Sequence, residues 1–198
     1  MTKKSLADRI LDTALQLADV SSWEAVHLYD VATELDITLE QLAQCYAQKD
    51  DLVEAWYDRA DRAMLARAEE AEFLQLDMPQ RLHALIMQWL DSLALHKRVS
   101  RDMLCYKLEP GHIHLQLLGI LRISRTVQWL REAARQESNN LQRIIDEIGL
   151  TSIYLMTFVY WIGDVSPNQE KTRRFLEKKL QRAEQLQRFL PFRAAAQQ

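Results

Sequence analysis

The sequence contains little glycine, proline or cysteine, and each shortage excludes a class of protein. Four glycines and four prolines in 198 residues are too few turn formers for a sandwich or barrel of many short strands. Cys45 and Cys105 lie far apart without CxxC spacing, so neither a disulfide framework nor a cysteine zinc site is suggested. The chain also has no apolar signal-peptide core and no run of roughly 18 apolar residues. We therefore expect a soluble helical protein of the reducing cytoplasm.

The formal net charge of −3 is unevenly distributed along the chain. Residues 1–60 carry five Lys and Arg against twelve Asp and Glu, whereas residues 167–198 carry eight Lys and Arg against three Glu. Any anionic partner therefore has to be assigned to one end of the chain, because the two ends differ in sign.

Hydrophobic periodicity predicts nine helices separated by short breaks. Thr38 and Gln41 have the spacing of a capping box, which starts a short third helix. A long fourth helix is predicted from Leu52 to about Gln75. Ser166 and Pro167 are a typical cap and first residue, so the ninth helix is predicted to begin there.

The segment from Leu150 to Ile162 is apolar on all sides rather than striped. It is too short to cross a membrane, so both of its faces must meet protein. Either the helix lies deep in the core of a monomer, or one face meets a second subunit through an antiparallel pair of terminal helices. We favour a homodimer, with an interface that includes Leu150, Tyr154, Phe158 and Trp161.

Three short N-terminal helices followed by a long one are typical of a helix-turn-helix unit. The stretch from Asp36 to Leu52 resembles the corresponding motif of the TetR family of transcriptional regulators. The residues in register with that motif are Ile37, Thr38, Leu42, Tyr46, Lys49 and Leu52.

The resemblance implies an all-α, nine-helix, TetR-like fold, with a helix-turn-helix DNA-binding-like domain at 1–48 and a ligand-binding and dimerisation domain at 49–198. It also implies a ligand-responsive transcriptional regulator that binds DNA as a homodimer. The candidate DNA-binding residues are Lys3, Lys4, Thr38, Gln41, Gln44 and Lys49.

Two departures from the TetR pattern fall where DNA would bind. Ala43 replaces an aromatic residue that contacts a phosphate, and Asp36 replaces the glycine of the turn. An N-terminal region with excess carboxylates, Glu40 among them, repels phosphates instead of releasing counterions. The candidates also have structural alternatives: a helix cap for Thr38 and Gln41, solvated surface for Gln44, and pairing with Asp50 or Asp51 for Lys49.

The segment from Gly163 to Pro167, with Thr172, Phe175 to Glu177 and Leu180, is similar to the closing part of the coenzyme Q biosynthesis lipid-binding proteins. Those proteins share the TetR-like fold but bind isoprenoid lipid. The alternative function is therefore a TetR-fold protein without DNA binding that binds an isoprenoid or other apolar lipid. The basic C-terminal helix and the apolar residues 189–192 are compatible with a contact at a membrane surface.

The sequence shows no motif for catalysis, so we expect neither an enzyme nor a cofactor. His112 and His114 lie two residues apart without a carboxylate at a suitable offset, which argues against a metal site. The middle helices are instead rich in apolar and aromatic residues, which suit a pocket for a small apolar ligand with a few polar anchors. Core packing explains the same residues. The candidate ligand-binding residues are His83, Trp89, Met103, Tyr106, Gln128 and Trp129.

Overall fold

The computed structural model describes residues 4–108, 113–136 and 140–189. Within these ranges the chain contains α-helices and short 3-10 turns and no strand, which confirms the all-α prediction. The helices are α1 (Leu6–Val20), α2 (Leu28–Glu34), α3 (Leu39–Cys45), α4 (Lys49–Ala68), α5 (Met78–Leu93), α6 (Lys97–Leu108), α7 (Ile113–Ala134), α8 (Asn140–Gly163) and α9 (Glu170–Phe189). No helix in the described ranges is both long enough and apolar enough to span a bilayer.

The chain divides into two compact units. The first unit comprises Met1–Ala60 and Leu93–Ile120, and the second comprises Asp61–Ser92 and Leu121–Gln198. The functional division predicted at residues 48 and 49 stays a prediction.

Two helices end or begin at different residues from those predicted. The helix α4 ends at Ala68 and not near Gln75, because two glutamates follow it and carboxylates are unfavourable at the negative end of a helix. The helix α9 begins at Glu170, three residues after Pro167. Asn168 and Gln169 have φ angles of 50° and 57°, and this left-handed backbone interrupts the helix.

In the first unit, α1, α2 and α3 pack around a small apolar core. Ser5 caps α1 by accepting a hydrogen bond from the Asp8 amide at 3.1 Å. The side chains that fill this core include Ile10, Leu11, Ala14, Trp23, Val31 and Leu42.

The start of α6 is joined to the end of α1 within the first unit. Arg98 donates to the carbonyls of Ala18 at 2.8 Å and Ser21 at 2.9 Å, and also to the Asp19 carbonyl. The His96 ring contacts the Asp19 carboxylate at 2.5 Å. A cation at the carbonyl end of a helix is stabilising, so these contacts fix α6 against α1.

In the second unit, aromatic side chains of α8 pack on α5. The Trp89 ring meets Tyr154 and Phe158 edge to face, with ring centroids 5.3 and 5.6 Å apart. Phe158 in turn stacks on Trp161, which is fully buried.

This packing corrects the predicted dimer interface. Leu150, Tyr154, Phe158 and Trp161 are each at most 6% exposed, so all four face the core of their own chain. The opposite face of α8 carries the exposed apolar side chains. Among the α8 side chains that the structure describes, the large exposed ones are Ile144, Ile145, Ile148, Met156, Val159 and Tyr160.

The turn between α8 and α9 is organised by the buried Asp164. Its Oδ1 accepts hydrogen bonds from the Ser166 amide and hydroxyl at 2.8 and 2.6 Å. Its Oδ2 accepts from the Thr172 amide and hydroxyl at 2.9 and 2.6 Å. Burial pushes the pKa of Asp164 upward, but these four hydrogen bonds outweigh burial and hold the pKa far below its ordinary value.

Replacing Asp164 with Asn is expected to lower the free energy of unfolding by about 2 kcal/mol at pH 7, because an amide cannot accept all four bonds. The folded-state pKa is lowered. The stabilisation that the ionised Asp164 carboxylate gives to the folded state is therefore fully present above the unfolded-state pKa of about 4. It is lost as the pH falls below that value.

The difference between the wild type and Asp164→Asn, measured by urea unfolding, should therefore shrink between about pH 5 and pH 3. Glu170→Gln is the matched control, because Glu170 forms an exposed pair with Arg174. Its effect should stay below about 0.5 kcal/mol. An equal effect of Asp164→Asn at both pH values would contradict the assignment.

Candidate nucleic-acid interface

The helix α3 presents a row of side chains to solvent, and one leucine on its opposite face packs into the core of the first unit. Leu42 is 1% exposed and packs into the core. Tyr46, just after the helix, donates its hydroxyl hydrogen bond to the Ala7 carbonyl at 3.1 Å. The exposed positions are Thr38, Leu39, Glu40, Gln41, Ala43 and Gln44.

Thr38 and Gln41 form the predicted capping box. The Thr38 hydroxyl oxygen accepts a hydrogen bond from the backbone N–H of Gln41 at 3.1 Å. The side-chain oxygen Oε1 of Gln41 accepts a hydrogen bond from the backbone N–H of Thr38 at 2.9 Å. Both side chains are exposed, so capping does not remove them from the surface.

Lys49 donates hydrogen bonds to backbone carbonyls of its own chain, and its role in DNA binding stays a prediction. Its Nζ donates to the carbonyls of Trp23 at 2.7 Å and Glu24 at 3.1 Å and lies 5.1 Å from the centroid of the Trp23 ring. Partial burial lowers the pKa of Lys49, and the carboxylates of Glu24 and Asp50 offset only part of that effect. This cation therefore ties the start of α4 to the chain after α1.

Lys4 also binds a carboxylate of its own chain. Its Nζ lies 2.7 Å from Asp12 Oδ2, and Arg59 donates to Asp12 Oδ1 at 2.6 Å. Burial raises the pKa of Asp12, but the hydrogen bonds from both cations outweigh burial, so the pKa is lowered. Lys3 lies outside the described residues.

The helices α2 and α3 follow each other through a short turn, and α3 packs on α1 while it presents side chains to solvent. This arrangement is that of a helix-turn-helix unit. The chain is 46% identical to a TetR transcriptional regulator from Nitrosomonas europaea ATCC 19718. The match covers 90% of this chain and 98% of that crystal structure, with a TM-score of 0.82. The chain belongs to the TetR family of transcriptional regulators.

More distant TetR structures have the same fold. A TetR transcriptional regulator from Rhodococcus sp. RHA1 is 20% identical, with a TM-score of 0.62, and the match covers 87% of this chain and 94% of that one. The TetR family regulator PfmR from Thermus thermophilus is 18% identical, with a TM-score of 0.57, and the corresponding shares are 88% and 98%. No curated protein matches the chain.

The COQ9 family matches residues 129–187. This stretch includes α8, most of α9 and the turn built on Asp164. The second resemblance predicted from the sequence is therefore confirmed over this segment.

In this TetR family member, the departure at Asp36 is accommodated by the backbone. Asp36 has a φ of 52°, the left-handed conformation that a glycine would adopt freely and that aspartate tolerates. Ala43 is exposed on α3, at the position of the family's aromatic residue.

The candidate ligand-binding residues fall in both units. Met103 and Tyr106 belong to the first unit, and the other four belong to the second. Trp89 is 2% exposed and donates its indole hydrogen bond to Asp61, whereas Trp129 is 45% exposed and Gln128 is exposed too. The structure therefore does not place Trp89 and Trp129 in one apolar pocket, and ligand binding by these residues stays a prediction.

His83 lines an open groove of about 500 Å³ between the start of α5 and α9. Its Nε2 lies 3.1 Å from the Arg173 carbonyl. Six of its lining residues are charged, more than the few polar anchors of a typical apolar ligand pocket. Its other lining residues include Asp77, Glu170, Arg174, Glu177 and Leu180.

The second unit contains a buried polar network that was not predicted from the sequence. Asp61 accepts from Trp89 Nε1 at 2.8 Å, from Arg122 at 2.7 Å and from the Thr126 hydroxyl at 3.1 Å. All four side chains are less than 9% exposed. The sequence signal was a charged residue at a core-facing position of α4, one residue after the buried Ala60.

Proposed function

We propose that this TetR family member is a ligand-responsive transcriptional regulator that binds DNA as a homodimer through α3. The observation that carries the proposal is the exposed row on α3, since a recognition helix needs solvent-facing side chains above a buried anchor. TetR regulators bind DNA, and they usually dimerise and bind small ligands. The Nitrosomonas europaea regulator supports the proposal, because its match with this chain covers 98% of its length.

Few cations are available for phosphates in the described part of the N-terminal region. Lys4 and Arg59 are paired with carboxylates, and Lys49 is bound to carbonyls. Arg9 is exposed and has no ion pair among residues 4–60. The affinity for DNA should therefore depend more on hydrogen bonds and apolar contacts than on counterion release.

The test is selection of sites from a random duplex pool with the full-length protein, followed by binding across a salt series. We expect affinity to fall less than about 100-fold between 50 and 200 mM salt, against about 10³- to 10⁵-fold for proteins with many phosphate contacts. The double variant Glu40→Lys with Ala43→Tyr should bind more tightly, since it removes a carboxylate and adds a phosphate contact. If neither protein binds any duplex at low salt, the proposal fails.

A specific observation favours the second candidate, a lipid-binding protein without DNA binding. The COQ9 family matches residues 129–187, and residues 1–60 are strongly acidic. Mass spectrometry of organic extracts of the purified protein tests this function, which predicts a stoichiometric apolar lipid. The TetR relatives give no support to a membrane contact, and residues 190–193 lie outside the described ranges.

The homodimer is proposed to form through the exposed face of α8, not through the four buried residues first predicted. Ile148 and Val159 are 63% and 65% exposed, and Met156 lies between them. An apolar row of this length on a surface helix is typical of an interaction face.

A further inference from the structure

The exposed face of α8 has a symmetric arrangement of side chains about Ser152. Large apolar side chains lie four, seven and eight residues before Ser152 and at the same spacings after it. Ser152 itself is small and exposed, and so is Gly149, three residues before it. The large side chains before Ser152 are Ile144, Ile145 and Ile148, and those after it are Met156, Val159 and Tyr160.

This face of α8 is also free of exposed charge. Between Ile144 and Tyr160, Asp146 is buried, and the half-buried carboxylate of Glu147 is bound by Arg131 at 3.0 Å. The exposed residues of α9 are, by contrast, mostly charged or amide side chains. An uncharged apolar face is best covered by another of the same kind, because a buried charge without a partner is costly. The α8 face of a second copy meets that requirement.

A hollow of about 330 Å³ lies beside Ser152 on the same face. Its described lining residues are Ile144, Glu147, Ile148, Thr151 and Ser152. Met156 lies on the other side of Ser152 and is 41% exposed. Methionine is unbranched and flexible, so it fills irregular gaps well. The face therefore carries both a hole and a side chain suited to fill one.

We propose, on the basis of the homodimer above, that the α8 helices of two subunits cross antiparallel with the two-fold axis at Ser152, and that Met156 of each subunit fills the hollow of the other. In a two-fold interface of antiparallel helices, positions equally distant from the axis oppose each other. Ile148 then lies opposite Met156 of the partner subunit, and Ile145 lies opposite Val159 of the partner subunit. The small side chain of Ser152 lets the two helices approach closely where they cross.

The position of the axis is tested by disulfide cross-linking of the full-length protein, because only a residue near the axis lies opposite its own copy. The background is Cys45→Ser with Cys105→Ser, which removes both native thiols. In that background, Ser152→Cys should cross-link most chains as dimers when diamide is added. Packed helices with axes about 8–10 Å apart bring facing Cα atoms within the roughly 6 Å that a disulfide spans. Non-reducing electrophoresis measures the yield.

Val159→Cys in the same background is the matched control. Val159 lies seven residues from Ser152, so its two copies would be about 21 Å apart along the crossing helices, too far for a disulfide. This single variant should therefore stay uncross-linked. Ile145→Cys with Val159→Cys in one chain should cross-link again, because the proposed axis places these two positions opposite each other.

The role of the hollow is tested by sedimentation equilibrium of Met156→Ala. Removing the side chain that fills the hollow of the partner should weaken the dimer by about tenfold or more. Leu186→Ala is the control, because Leu186 is 66% exposed on α9 and lies outside the α8 face. Its dimer affinity should match that of the wild type.

Three results would overturn the inference while the homodimer stands. The first is a dimeric protein in which Ser152→Cys does not cross-link, and the second is cross-linking of Val159→Cys alone. The third is an equal effect of Met156→Ala and Leu186→Ala on dimer affinity. A wild type that sediments as a folded monomer would instead overturn the proposed homodimer and this inference together.

Discussion

Replacing Asp61 with Asn is expected to lower the free energy of unfolding by about 3–5 kcal/mol. The substitution keeps the shape of the side chain but removes the carboxylate to which Arg122 donates at 2.7 Å. The guanidinium is 7% exposed, so its charge stays in a poorly solvated position without the Asp61 charge. Urea unfolding monitored by circular dichroism measures the difference.

The control for Asp61→Asn is the same change in a more exposed pair. Asp91 binds Arg173, and the two side chains are 33% and 37% exposed. Asp91→Asn should therefore cost at most about 1 kcal/mol. Equal costs for the two variants would contradict the importance of burial.

A second variant separates the charge from the packing. Replacing Asp61 by Leu together with Arg122 by Met removes both charges, and such replacements are often neutral or stabilising. Trp89 would lose its acceptor at 2.8 Å, so we expect recovery of most of the stability lost in Asp61→Asn, but not all of it.

Replacing Val159 with Glu is expected to weaken the proposed homodimer by about 100-fold or more, because it would bury a carboxylate from each subunit in the proposed apolar interface. Val159 is 65% exposed in the single chain, so the folded subunit should tolerate the change. Sedimentation velocity should show a dimer for the wild type at micromolar concentration and a folded monomer for the variant.

Two further substitutions sharpen the dimer experiment. Gln128→Glu adds the same charge at an exposed position of α7 and should leave the dimer intact. Phe158→Lys introduces a charge at a side chain that is only 6% exposed, so it should unfold the subunit rather than dissociate it. A folded wild-type monomer, or a dimeric Val159→Glu variant, would exclude this interface.

The sequence by itself determined the features that depend on near neighbours. The capping box of Thr38 and Gln41 and the Ser5 cap follow from spacings of three residues, so pattern alone predicts them. The helix-turn-helix register from Ile37 to Leu52 was enough to identify the TetR resemblance, although Asp36 departs from the pattern at the turn. These interactions join residues that are close in sequence, so the spacing of residue types along a helix predicts them.

Only the tertiary structure decided which face of an apolar helix is buried. The segment from Leu150 to Ile162 is apolar all round, so its period cannot distinguish the core-facing row with Tyr154 and Phe158 from the exposed row with Met156 and Val159. Packing against Trp89 of α5 makes that choice.

The partners of the charged side chains also depended on the fold. Asp61 and Arg122 are 61 residues apart in sequence, and Lys49 reaches carbonyls 25 and 26 residues before it. Sequence spacing carries information about contacts within a helix but not about contacts between helices. The long-range packing brings these groups together, and the need to satisfy buried polar atoms then fixes the pairs.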